Sequence, residues 1–245
     1  MTRLTTCADP EAVAVRAAEE VLRQLRAARG DHRPVHVALA GGRSPKRTYE
    51  LLAGSPQELA DVVVWFADER CVGPEDEQSN YHMAAVSLLD PARIAPERVH
   101  RMEGELGPEE GAHRYALALR TSVPGARAHG GGPGPPALDM IVLGIGEDGH
   151  VASLFPDALT LDADEASVCL PVRDSPKPPP ERITLSLPVL RAARRCVLLA
   201  TGAEKAGALA AMLGEPSRHV PASLLERERL TVIADDAAAP EAAPP

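Results

Sequence analysis

Apolar positions along the chain follow two rhythms that alternate. Residues 10–29 repeat apolar side chains at helical spacing and stop at Gly30, which predicts an amphipathic helix. Residues 35–40 are instead an unbroken apolar run entering Gly41-Gly42, the pattern of a buried strand. A helix is expected over 45–53, with Ser44 as its N-cap and Pro45 at its first position. The alternation continues with a strand at 62–67, helices at 79–89 and 108–120, and strands at 138–143 and 183–187. A strand at 196–200, a helix at 203–213 and a strand at 230–233 complete it. Strands that are apolar throughout belong to a parallel sheet covered on both faces. The predicted fold is therefore α/β, a mainly parallel, Rossmann-like sheet flanked by helices on both faces, in one domain over 1–233.

Two segments break the pattern. PGARAHGGGPGPP (124–136) holds nine Gly or Pro in thirteen positions; because strand and helix alternation resumes after it, a surface loop is expected rather than a linker. DSPKPPP (174–180) predicts a semi-rigid extended loop. The end, 234–245, lacks apolar bulk and is expected to be a disordered tail. No internal repeat is present.

Composition narrows the function. The chain has 245 residues, a formal charge of −9 and six aromatic residues, which argues against a nucleic-acid partner. No apolar run approaches the ~18 residues of a membrane span, and the first twenty residues turn polar too soon for a signal peptide. Cys7, Cys71, Cys169 and Cys196 lie far apart with no CxxC pair, as expected of free thiols in a cytoplasmic protein. His32 and His36 are four apart, but Pro34 between them speaks against a shared helical face, so no metal site is expected. Only three of the twenty-six basic residues are lysines: Lys46, Lys177 and Lys205.

Four segments carry candidate chemistry. AGGRSPK (40–46) joins a strand to a helix; its glycines permit close backbone approach, and the helix N-terminus suits a phosphate, although a tight capped turn explains the pattern equally well. In WFADERCVGPEDEQSNYHMA (65–84), Asp68, Glu69 and Arg70 follow directly on a buried strand, at the end that faces the ligand crevice of a parallel sheet. Ser79-Asn80 then starts a helix. LDMIVLGIGEDGHVASLFPD (138–157) contains a literal GxGxxG at Gly144, Gly146 and Gly149. Pro156 interrupts any long helix after it, and no acidic strand end follows at dinucleotide spacing, so the loop is better suited to presenting Asp148 and His150. A histidine there can serve as a general base near neutrality. In the segment 182–209, Lys205 stands in the first turn after Thr201-Gly202, where a cation opposes the helix dipole and a ligand anion would explain it.

Taken together, AGGRSPK, the DER…SNY block, GIGEDGHVASLFP, RITLSLP…TGAEKA and VPASLL (220–225) resemble the 6-phosphogluconolactonases. Those enzymes share their fold with glucosamine-6-phosphate deaminase, and it is similar to that of ribose-5-phosphate isomerase. Deaminases carry a phrase like IAFNEP after GxDGH, where this chain has VASLFP. The resemblance implies hydrolysis of 6-phospho-D-glucono-1,5-lactone in the oxidative pentose phosphate pathway, with no metal and no cofactor. It implies that Gly41, Gly42, Ser44, Arg182 and Lys205 hold the phosphate, and it places Arg43 and Asn80 with them. His150 would activate water, Asp68 and Asp148 would orient groups, and Arg70 would bind substrate or offset charge on the carbonyl oxygen. Ala40 and Arg43-Ser44 depart from the family's usual Ser and Ser-Thr; Arg43 either compensates or points to solvent. The expected partner is the sugar-phosphate lactone alone, with no nucleic acid or membrane, in a monomer or weak homo-oligomer.

Overall fold

A computed structural model of the chain describes residues 2–29, 34–127 and 133–239. Gly30, the expected helix stop, and His32 lie outside these residues, as do 128–132 of the Gly/Pro segment and 240–245 of the tail. In chain order the elements are β1 (Arg3–Cys7), α1 (Pro10–Ala28), β2 (Val35–Leu39), α2 (Arg43–Leu52), α3 (Pro56–Leu59), β3 (Val62–Phe66) and β4 (Asp68–Arg70). Then come α4 (Asn80–Ala84), α5 (Pro108–Ser122), β5 (Gly125–Arg127), β6 (Pro133–Pro136), β7 (Met140–Gly144) and β8 (Cys169–Val172). Finally β9 (Arg182–Leu185), α6 (Leu187–Ala192), β10 (Cys196–Ala200), α7 (Ala206–Leu213) and β11 (Leu230–Asp235) complete the described chain.

Six strands form one sheet in the order β1-β11-β10-β7-β2-β3, every neighbouring pair parallel. β2 and β10 are buried at every position, as their unbroken apolar runs require. Alternate side chains of β3 serve opposite faces. Val62 and Val64 meet Val21 and Leu25 of α1 around a small apolar gap. Trp65 instead meets Tyr115 of α5 edge-on at 5.7 Å, and the Tyr115 hydroxyl bonds both the N–H and the carbonyl of Phe66. The α/β architecture with helices on both faces follows from this division.

Four expectations need correction. β1 was not predicted: RLTTC has no apolar run because it is the half-exposed edge of the sheet. The strand expected at 183–187 exists as β9, but it pairs antiparallel with β4 and β8 in a separate three-stranded sheet. The Gly/Pro segment is not a plain loop, since β5 and β6 pair antiparallel across it. Residues 234–239, expected in the tail, belong to the fold: β11 runs to Asp235, whose carboxylate accepts the N–H of Ala238, a fully buried residue. No helix among the described residues is long and apolar enough to cross a membrane.

The strand order reverses between β2 and β7. β2 leads outward to β3, while β7, β10 and β11 fill the sheet the other way, and a crevice opens at the carboxyl ends where the two directions part. β4 bends over that crevice. Ala67 donates to Leu39 and accepts from Leu185, both at 2.8 Å, so the chain leaves the large sheet and joins the small one within a residue. The register then sets Asp68 opposite Thr184 and Arg70 opposite Arg182. Side chains alternate along a strand, so Asp68 and Arg70 share one side and Glu69 takes the other.

Candidate active site

The crevice is a cleft of about 660 Å³. It gathers the loop after β2 (Gly41, Gly42, Arg43, Ser44), then Asp68, Arg70 and Asn80, then His150 from the loop after β7. Arg182 and the turn after β10, with Lys205, complete it. All four candidate segments thus converge on one space. Asp148 stands behind His150, and Lys46 lies exposed outside the cleft lining.

At one end the geometry suits an anion. α2 begins at Arg43, capped by Gly42 at φ 114, a left-handed conformation that favours glycine. Ser44 is therefore not the N-cap expected for it. It lies in the first turn, and its Oγ stands 2.5 Å from Thr201 Oγ1, tying the loop after β2 to the turn after β10. The opening N–H groups of α2 have no helical partner and carry the positive end of its dipole. Gly41 packs so closely on Asn80 that a Cβ would fall 1.8 Å from the amide oxygen. Arg43 is not folded into the cleft: its side chain is 95% exposed, with Glu204 at 3.6 Å across the rim. The Lys205 N–H donates to the Gly202 carbonyl at 3.0 Å, while its ammonium makes no hydrogen bond or ion pair among the described residues. The Asp235 carboxylate holds the Gly202 N–H, fixing the turn that carries it.

The other end carries the titratable groups. His150 Nδ1 lies 2.5 Å from Asp148 Oδ1. The loop is closed by hydrogen bonds from Gly146 N–H to the His150 carbonyl (2.9 Å) and from Gly149 N–H to the Gly146 carbonyl (3.0 Å). A Cβ at Gly146 would come within 2.0 Å of His150 Nδ1 and 2.4 Å of Asp148 Oδ1. The glycine pattern therefore makes room for this pair, as expected, and not for a dinucleotide. Burial pushes the Asp148 carboxyl up, but the hydrogen bond and charge of His150 outweigh it and bring the pKa to about 2. The ionised carboxylate accepts a hydrogen bond from Nδ1–H, which leaves Nε2 of the neutral imidazole as the proton acceptor.

Between these ends lies a buried polar network. Asp68, 5% exposed, accepts Asn80 Nδ2 on Oδ1 (3.0 Å) and Ser153 Oγ on Oδ2 (2.7 Å). Ser153 was not singled out in the sequence, although it belongs to the VASLFP phrase. Asn80 is the first residue of α4, and its side-chain N–H groups are spent on Asp68. Glu69, on the far side of β4, accepts from Ser79 Oγ and from the N–H groups of Arg70, Asn80 and Tyr81 at 2.7–2.9 Å. That carboxylate joins DER to SNY and explains why the two occur together. Burial raises the Glu69 pKa against those four donors. Arg70 gives Nη1 to the Gln78 carbonyl (2.6 Å), while its buried Nε has no acceptor among the described residues. Arg182 is pushed below the usual arginine range, first by burial. Its Nε and Nη2 go to the carbonyls of Lys177, Pro178 and Pro179 at 3.0–3.1 Å, leaving Nη1 for Ser153 at 3.5 Å.

The same arrangement of segments is found in known proteins. The sequence model of the glucosamine-6-phosphate isomerases/6-phosphogluconolactonase family matches residues 8–234. A 6-phosphogluconolactonase of Streptomyces coelicolor is 38% identical over 243 residues, covering 94% of this chain and 91% of that protein. The human 6-phosphogluconolactonase is 39% identical over 187 residues, covering 75% of this chain and 69% of its own. The crystal structure of 6-phosphogluconolactonase from Leishmania guyanensis superposes with a TM-score of 0.86 at 29% identity, covering 97% of each chain. With its sheet order, its cleft and these matches in agreement over nearly the whole length, the chain belongs to the glucosamine-6-phosphate isomerase/6-phosphogluconolactonase family.

Proposed function

We propose that the chain hydrolyses 6-phospho-D-glucono-1,5-lactone to 6-phospho-D-gluconate, the hydrolytic step of the oxidative pentose phosphate pathway. The observation that carries this reading is the Asp148–His150 pair, 2.5 Å apart, in one cleft with a helix N-terminus built for a phosphate. The lactonase names of the relatives support it.

In this reading His150 Nε2 takes a proton from water as the oxygen attacks the lactone carbonyl carbon. The carbonyl oxygen becomes an oxyanion, and the Arg70 guanidinium, with its unpaired buried Nε–H, offsets that charge. When the tetrahedral intermediate collapses, the bond to the ring oxygen breaks, and the imidazolium returns its proton to that oxygen. The products are a carboxylic acid, which ionises, and a free hydroxyl. A positioned base contributes about 10²–10⁴-fold. Asp148 keeps the imidazole in its working tautomer, and Asp68, held on both oxygens, orients substrate hydroxyls or water beside Arg70. Gly41, Gly42, Ser44 and Lys205 bind the phosphate, far from the reacting carbon, so their energy goes into binding and orientation.

A cytoplasmic setting is part of the proposal, supported by the four free cysteines, as is a monomer or weak homo-oligomer. Assay of 6-phosphogluconolactone hydrolysis beside ammonia release from glucosamine 6-phosphate tests the reading. Hydrolysis without ammonia is expected; ammonia release would move the chain to the deaminase branch.

A further inference from the structure

Lys177 sits in the strap DSPKPPP (174–180), of which Lys177 and Pro178 line the cleft. Its main chain is fixed. The N–H donates to Ser175 Oγ (3.2 Å), and the carbonyl accepts from Ser175 Oγ (2.7 Å) and from Arg182 Nη2 (3.0 Å). Arg182 holds the next two carbonyls as well, so a guanidinium only 4% exposed is spent mainly on the strap. The ammonium is held far less firmly. Among the described residues its one partner is Glu147 Oε1 at 2.7 Å, on a half-exposed carboxylate in the loop that carries His150. Exposed pairs of this kind contribute little and exchange readily.

Glu147 also responds to Lys205. Its carboxyl is held below the usual range by the Lys177 hydrogen bond first, then by the charges of Lys177 and Lys205. Of the two cleft-lining lysines, Lys177 alone contacts this carboxylate, and Lys205 bears on it only through its charge. A phosphate monoester dianion held between α2 and Lys205 presents twice the charge of that carboxylate, in a less solvated space.

We propose that Lys177 is a substrate-binding residue whose ammonium passes from Glu147 to the phosphate of the bound sugar phosphate, and that Arg182 is the positioning residue that sets the strap from which it reaches. Arg182 then acts on the phosphate through Lys177, since its own Nε and Nη2 are already committed. The identity of the sugar rests on the lactonase reading; the ligand chemistry, a phosphate monoester, does not.

Calorimetric titration with 6-phosphogluconate and with glucose 6-phosphate, which lacks the carboxylate, tests this without turnover. Lys177→Met is expected to weaken both ligands by about tenfold, the scale of one charge-assisted hydrogen bond, and Lys177→Arg to restore most of the loss. Glu147→Gln is expected to tighten both severalfold, but not in the Lys177→Met background. Undiminished binding by Lys177→Met, a loss confined to 6-phosphogluconate, or tightening by Glu147→Gln in both backgrounds overturns the proposal. A wild type that binds both ligands without hydrolysing the lactone would sink the lactonase reading and leave the Lys177 assignment standing.

Discussion

Ser153 shows how a residue with no chemistry of its own shapes the site. It is fully buried, its hydroxyl donates to Asp68, and its N–H donates to Thr184 Oγ1 at 3.1 Å on the facing strand. Ala152 before it lies at φ 50, unusual for a residue with a Cβ, in the tight turn closed from Leu154 N–H to the Val151 carbonyl. The turn delivers the hydroxyl to the carboxylate. Ser153→Ala leaves a buried Asp68 oxygen without its donor, so it should cost about 1–3 kcal/mol in a denaturant melt and lower kcat. An unchanged melt would show that water replaces the hydroxyl. Nothing in the sequence marks Ser153, because a serine within a turn is common. His150 and Asp148 were legible because a glycine-rich strand end that displays titratable side chains is rare.

At the scale of elements, the loops that form the site were easier to foresee than their anchoring. The loops after β2, β7 and β10 followed from apolar runs leading into glycine. Ser44 did not: the pattern suggested an N-cap, yet Gly42 supplies the cap and the hydroxyl reaches Thr201, a contact 157 residues away along the chain. The small sheet of β4, β9 and β8 was also hidden, since a three-residue strand reading Asp-Glu-Arg has no apolar signature. At Gly146 the constraint is steric. A Cβ there must displace the His150 ring or the Asp148 carboxylate. Gly146→Ala should therefore lower kcat by about a hundredfold, the scale of a 1 Å misplacement, with phosphate affinity nearly unchanged. An equal loss in affinity would mean that the whole loop has moved.

On the scale of the molecule, the parallel sheet was legible because its strands, edge strand β3 included, are apolar runs, and the other edge, β1, was not. β1 is half-exposed, and β3 is covered at its edge by a single bridge from Val64 to Val99. Beside that edge, His100 stacks on Trp65 with ring centroids 4.1 Å apart and planes 10° off parallel. Burial holds its pKa below the usual 6.5. The unfolded chain thus binds this proton first, so the folded state loses stability as pH falls below about 6.5 and keeps losing it until the folded histidine itself titrates. Trp65 Nε1 also donates to His36 Nδ1 at 3.1 Å, which requires a lone pair there. Melts followed by Trp65, the sole tryptophan, should show Tm falling in this window, and less steeply in His100→Gln. The same acid slope in both would locate the loss elsewhere.

His150 is the proposed base, in a cleft whose proposed phosphate site lies at the other end. The most direct measurement is the initial rate on freshly made 6-phosphogluconolactone, coupled to 6-phosphogluconate dehydrogenase and corrected for spontaneous opening, for wild type and His150→Ala. Saturable hydrolysis by the wild type is expected, with a kcat at least about a hundredfold lower in the variant and KM little changed. Hydrolysis no faster than the uncatalysed reaction, or a variant that keeps near-normal kcat, would contradict the proposal.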